Sequence, residues 1–108
     1  MRRYKVYKFR RQALGLTQAE LANSAGMTAN VVSRYEAGEE VSEPYKIAMN
    51  TVIDNMMRNL SEIDHLQVQI HANTLQLMEE ENDQDRLMTL NYLAVYIGRL
   101  QLAIMKNQ

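Results

Sequence analysis

The chain has 108 residues and contains no cysteine, one proline and four glycines. Without cysteine there is neither a disulfide nor a thiolate metal site, which suits a reducing compartment. The two histidines, His65 and His71, are spaced too far apart to share one helical face as residues four apart would. Neither has an HExxH context, so no bound metal is expected. No glycine-rich loop is available to cradle phosphates, and no nucleophile, base and acid stand together at a workable spacing. The eight methionines are read as adaptable filler of core and interface rather than as copper ligands. Neither an enzyme nor a cofactor is expected. The N-terminus, MRRYKVYKFRRQ, lacks the apolar run of a signal peptide, and no apolar run approaches the ~20 residues that cross a bilayer. The expectation is a soluble, cytoplasmic chain with no membrane partner, forming one small domain with a helical extension and one modest core.

Charge is nearly balanced, at −1, but unevenly placed. Residues 1–46 hold eight basic against five acidic side chains, and residues 47–108 hold four against eight. Six basic residues and no acid fall within the first eleven: Arg2, Arg3, Lys5, Lys8, Arg10 and Arg11. A basic end on a neutral protein points to a polyanion met at that end.

What is abundant is helical periodicity. Val6, Phe9, Ala13 and Leu14 form the apolar stripe of a first helix over about 5–14. Thr17, with Glu20 three residues on, is a capping box that starts a second helix carrying Leu21, Ala22 and Ala25. Gly26 interrupts it, and Thr28 opens a third helix over about 29–37, with Val31, Val32 and Tyr35 as apolar positions. Gly15, Gly26 and Gly38 each follow a predicted helix end, where a left-handed residue is often required. Two short helices joined by a glycine-containing turn form a helix-turn-helix unit, whose second helix is shaped for the DNA major groove.

At Arg11, LGLTQAELA (14–22), Gly26 and VVSRYEAG (31–38) the chain resembles the phage-repressor and Cro type of helix-turn-helix regulator, the XRE family. The resemblance spans roughly residues 5–57 and implies a lambda-repressor-like DNA-binding domain. It implies that Ala29, Asn30, Ser33 and Arg34 face the groove. Asn30 can then pair bidentately with adenine and Arg34 with guanine, Ala29 can touch a thymine methyl, and Ser33 can serve a base or a phosphate. Gln18 is implied to grip a phosphate and brace the recognition helix, while Arg11 and Glu36 form an internal ion pair. Together with the basic end, the expected phosphate contacts are Arg2, Arg3, Lys5, Arg10, Thr17, Gln18 and Thr28. One departure stands out. Glu39, Glu40 and Glu43 occupy the turn after the recognition helix, where the family often carries Lys or Arg.

From Tyr45 to Ile97 there is neither proline nor glycine, so the C-terminal half is expected to be helical without a linker. Ser42 caps a fourth helix with Pro44 in its first turn, and Met49, Val52, Ile53, Met56 and Leu60 continue its stripe. Ser61 with Asp64 suggests a second capping box and a break; a single helix from about 43 to 80 is the alternative. Ile63, Leu66, Ile70 and Leu77 stripe the fifth helix. EEENDQD (79–85) reads as a turn, with Asn82 or Asp83 as the next cap; it lacks the glycine and ligand series of a calcium loop.

The last helix, about 85–106, is apolar on more than one side. Leu90, Leu93, Ile97, Leu100 and Ile104 form one stripe, while Met88, Tyr92, Val95, Tyr96, Leu102 and Met105 cover much of the rest. A second copy is the expected cover, through Leu90, Leu93, Tyr96, Ile97, Leu100 and Ile104. A chain folded back to bury both faces within one protomer is the alternative. The reading is an all-α protein: a helix-turn-helix domain at 1–57 and a C-terminal helical hairpin for oligomerisation at 58–108. It is expected to be a homodimer binding an inverted repeat in double-stranded DNA as a transcriptional regulator, by resemblance a phage or mobile-element repressor. The rival is a protein-interaction module, an anti-repressor or antitoxin, that meets a protein partner instead.

Overall fold

The computed structural model describes residues 3–108, apart from the side chain of residue 3. Six helices follow one another: α1 (Arg3–Ala13), α2 (Gln18–Ala25), α3 (Ala29–Glu36), α4 (Glu43–Arg58), α5 (Glu62–Glu79) and α6 (Asp83–Lys106). No strand occurs among the described residues.

Helices α1 to α4 enclose one core built from Leu21, Ala22, Val32, Tyr35, Met49, Ile53 and Met57, with Tyr7 from α1. Phe9 is also fully buried. The side chains at 32 and 35 and at 49, 53 and 57 recur at three- and four-residue steps, so α3 and α4 each turn one apolar face inward, and α2 adds the adjacent Leu21 and Ala22. Tyr7 escapes the stripe predicted for α1. It is buried because its ring packs in the core while its hydroxyl donates to Asp54 on α4, 2.8 and 2.9 Å from the two carboxylate oxygens.

The helix boundaries have local causes. The Thr17 hydroxyl accepts from the Glu20 amide at 3.0 Å, and the Glu20 carboxylate accepts from the Thr17 amide at 3.0 Å. Gly15, Gly26 and Gly38 all take positive φ, at 78°, 74° and 84°. Ser42 stands at the N-cap of α4 with Pro44 in the first turn, but its side chain makes no capping hydrogen bond. The break before α5 is present: α4 ends at Arg58 and α5 starts at Glu62. Only half of the expected box forms there, the Ser61 hydroxyl accepting from the Asp64 amide at 3.1 Å. Asn82 caps α6 by accepting from the Asp85 amide at 2.8 Å.

Helices α5 and α6 form an antiparallel hairpin, and α5 packs on α1 as well as on α6. The hairpin interior holds Leu66, Ala72, Leu93 and Ala103 around a polar knot. Within the knot the Thr89 hydroxyl and the Gln76 amide both donate to Glu80 Oε1, each at 3.0 Å. Thr89 is 1% exposed, and the knot satisfies the hydroxyl that its burial would otherwise strand. The molecule is only 19 Å thick across its shortest axis and 43 Å long, so α6 has a neighbour on one side only. The alternative in which α6 is buried on both faces is not adopted.

Candidate nucleic-acid interface

The α2–turn–α3 unit is locked from below by charge. Arg11 on α1 makes a bidentate pair with Glu36, Nε to Oε2 at 2.7 Å and Nη2 to Oε1 at 2.9 Å. Its remaining terminal nitrogen donates to the Leu16 carbonyl at 2.6 Å. Both side chains are buried, so this pair sits where only well-formed hydrogen bonds offset desolvation. Gln18 joins it, its amide donating to Glu36 Oε1 at 3.0 Å. The carboxylate thus ties the last turn of α3 to α1 and to the start of α2, and Arg11 carries the tie on to the loop before α2. With the pair, the buried Val32 and Tyr35 fix the inner face of α3.

The outer face is then free. Ala29, Asn30, Ser33 and Arg34 are all exposed, on the side of α3 opposite Val32 and Tyr35. Thr28 is exposed at the N-cap, where its hydroxyl makes no capping hydrogen bond. Thr17 is exposed and engaged in its capping box, and Gln18 is half-buried. These residues lie along the N-terminal ends of α2 and α3, where the helix dipoles and unpaired amides favour anions.

The basic residues of α1 separate. Lys5 is half-buried. Arg10 does not stand free: it stacks over the Tyr7 ring at 5.4 Å and lies 3.9 Å from Asp54. Lys8 reaches across to the hairpin and pairs with Glu79 at 3.7 Å. The expected phosphate contacts at Arg2 and the Arg3 side chain lie outside the described residues.

The acidic turn is built more tightly than its sequence suggests. After α3 the amide of Gly38 donates to the Tyr35 carbonyl and that of Glu39 to the Arg34 carbonyl, both at 3.0 Å. This pair of bonds around a left-handed glycine is a Schellman motif. Gly38 is required twice over, because its φ is +84° and an added Cβ would stand 2.8 Å from the Tyr4 hydroxyl. The Tyr4 ring in turn meets Tyr35 edge-on, with centroids 6.3 Å apart. Glu39 then lies 4.0 Å from the Arg34 Nε, and Glu43 lies 3.7 Å from Lys46. The Arg34–Glu39 contact is not among the expectations from the sequence, where these acids stand only as a departure from the family pattern. Its signal was present in the five-residue spacing across Gly38, which a Schellman turn folds back on itself.

At the far end of the molecule, the six residues expected at a dimer interface divide. Leu93 is buried against α5, and Tyr96 and Leu100 are half-buried. Leu90, Ile97 and Ile104 are 46%, 46% and 42% exposed. The stripe turned inward is Thr89, Leu93, Tyr96, Leu100 and Ala103, because small Ala103 and hydrogen-bonded Thr89 fit the hairpin seam where larger apolar groups do not. Leu87, Tyr92, Val95 and Leu102 are exposed as well, each by about half or more. By length and composition alone α6 could cross a bilayer, but with a mean hydropathy of 1.2 it is only weakly apolar and no clear membrane span. Arg99 and Gln101 interrupt it. No group of three or more metal-ligating side chains occurs among the described residues.

Residues 8–44 match the helix-turn-helix family. The match runs from the middle of α1 to the first turn of α4 and takes in the whole of α2 and α3. That family is one of DNA-binding regulator domains, not of enzymes. No curated protein and no solved structure matches the chain.

Proposed function

We propose that this chain, a DNA-binding transcriptional regulator of the XRE helix-turn-helix family, is a repressor that reads an inverted repeat as a two-fold dimer, in a phage or mobile-element setting. The observation that carries the reading is the division of α3. Its inner face is fixed by the Arg11–Glu36 pair, and its outer face offers Ala29, Asn30, Ser33 and Arg34 to a ligand. Asn30 and Arg34 have the fork geometry that selects adenine and guanine, each worth about 1–3 kcal/mol of discrimination. Thr17, Gln18 and Thr28 take phosphates at the two helix N-termini, aided by Lys5 and the basic residues before it. Arg10 contributes less directly, being held by Tyr7 and Asp54.

The division of labour is residues 1–57 for DNA and 58–108 for pairing. A second copy covers the exposed apolar flank of α6 around Leu90, Ile97 and Ile104. A bilayer is the poorer cover, since Arg99 lies within the apolar stretch of α6 and a charged side chain there is costly in hydrocarbon. Two recognition helices related by a two-fold axis then meet major grooves about 34 Å apart.

Selection from a random duplex pool at moderate salt tests the reading. The expected product is an inverted repeat with half-sites one turn apart, whose enrichment at one base pair disappears in Arg34→Ala. A folded protein that enriches nothing would sink the proposal and favour the rival, in which the apolar α6 meets a different protein.

A further inference from the structure

We infer that Glu39 is a positioning residue that orients the Arg34 guanidinium for base recognition; the inference rests on the reading of Arg34 as a groove-facing side chain. An acid beside a DNA-reading helix should be a liability, because it repels phosphates. Its placement here is specific. The Schellman bonds fix the backbone of Glu39 directly to the carbonyl of Arg34. The turn is held from outside by Tyr4, whose hydroxyl would stand 2.8 Å from any Cβ at position 38. The carboxylate therefore starts from a defined point relative to the arginine that it faces.

What it faces decides the role. Oε2 of Glu39 is nearest to Nε of Arg34, at 4.0 Å. Nε is the inner nitrogen of the guanidinium, and the two terminal amino groups are left without an ion pair or side-chain hydrogen bond among the described residues. A fork with a carboxylate beside its inner nitrogen and both outer ones unpaired can match the O6 and N7 acceptors of guanine. Both side chains are about half exposed, at 50% and 57%, so the contact can shorten when a base displaces water. Glu39 limits the rotamers from which Arg34 must choose and disfavours its escape to a neighbouring phosphate.

The two effects of the carboxylate have opposite signs, which makes them separable. Repulsion from phosphates weakens binding to every duplex. Orientation of Arg34 strengthens binding only where a guanine stands opposite. Glu39→Gln keeps the shape of the side chain and removes its charge at an exposed position, so the fold and its thermal midpoint stay unchanged.

The experiment measures Kd for the parent chain, Glu39→Gln, Arg34→Ala and the double variant. The probes are the selected operator, the same operator altered at the base pair whose enrichment depends on Arg34, and a random duplex. Glu39→Gln is expected to bind the random duplex roughly two- to threefold more tightly. Its discrimination at the altered pair is expected to fall by roughly threefold or more. In the Arg34→Ala background the charge removal should still tighten random binding and leave discrimination where Arg34→Ala put it. Equal tightening on all three duplexes, with discrimination intact, would overturn the assignment and leave plain repulsion. So would a loss of discrimination that is the same with and without Arg34. If the parent chain selects no sequence at all, the DNA reading itself fails and the assignment goes with it, an outcome distinct from failure of Glu39→Gln alone.

Discussion

The recognition unit and the terminal helix are both exposed along one side, for opposite reasons. Helix α3 shows solvent Ala29, Asn30, Ser33 and Arg34 above an inner face held by a buried ion pair and two buried side chains. Helix α6 shows solvent Leu87, Leu90, Tyr92, Ile97 and Leu102 above a seam that packs on one neighbour. The first surface is polar and stable in water as it stands, on a backbone fixed from within. The second exposes large apolar side chains on several sides of one helix. Rigid support with polar display suits discrimination between ligands. Single-sided support with apolar display suits association, whose strength scales with the area removed from water.

The largest effect should come from breaking the support of α3. Arg11→Ala leaves Glu36 buried without its partner, and Glu36→Ala leaves Arg11 in the same state. Each should cost about 3–5 kcal/mol, because an uncompensated buried charge remains. Replacing both with apolar residues of similar volume should recover most of that loss, since a buried pair contributes little relative to well-packed hydrophobes. Denaturant unfolding of the two single variants and the double checks this. Single variants that lose less than about 1 kcal/mol would show that the display of α3 does not depend on the pair.

Helix α6 supplies the sharper contrast, because two of its residues four apart in sequence fall on different surfaces. Leu93 is 9% exposed and Ile97 is 46% exposed. Leu93→Ala should therefore cost about 2–4 kcal/mol at any protein concentration, by opening a cavity in the hairpin. Ile97→Glu should do little to a monomer, while shifting the mass seen by light scattering from dimer to monomer at micromolar concentration. A parent chain that is monomeric throughout, or an Ile97→Glu variant that stays dimeric, would remove the second copy from this surface.

The same contrast explains what the sequence made legible. The α2–α3 unit could be read nearly residue by residue, because each boundary carries its own chemistry: a reciprocal Thr17–Glu20 cap, glycines at Gly26 and Gly38 with φ near +80°. Local signals of that kind survive any tertiary arrangement. The buried face of α6 was legible only as a set of alternatives. Apolar residues stand on most sides of it, so periodicity could not choose between a seam at Leu90 and Ile97 and one at Thr89, Leu93 and Ala103. The choice is made across the α5–α6 turn, by Gln76 on α5 and Glu80 at its C-cap, whose side chains bond Thr89 in the interior. The burial of Tyr7 and the contact of Arg10 with Asp54 are not legible in the sequence, since Asp54 lies on α4, more than forty residues away.

The smallest expected effect tests whether local chemistry of this kind contributes stability of its own. The Glu20 carboxyl is held below the ordinary glutamate range, first by the hydrogen bond from the Thr17 amide and then by the bond with the Thr17 side chain. A carboxyl whose folded-state value is depressed adds stability that is present above its unfolded value and is lost as pH falls through the folded one. Glu20→Gln can still accept the same bond as a capping-box residue but cannot titrate. The difference in thermal midpoint between the parent chain and Glu20→Gln should therefore be largest near neutral pH and shrink as the pH drops below about 4. Thr17→Ala removes the hydroxyl at a cost of about 1 kcal/mol while keeping the backbone amide. Part of the pH-dependence should survive in that variant, because the amide is the larger cause. Parallel pH curves for the parent chain and Glu20→Gln would mean that the charge of Glu20 adds no stability beyond what a neutral capping residue gives.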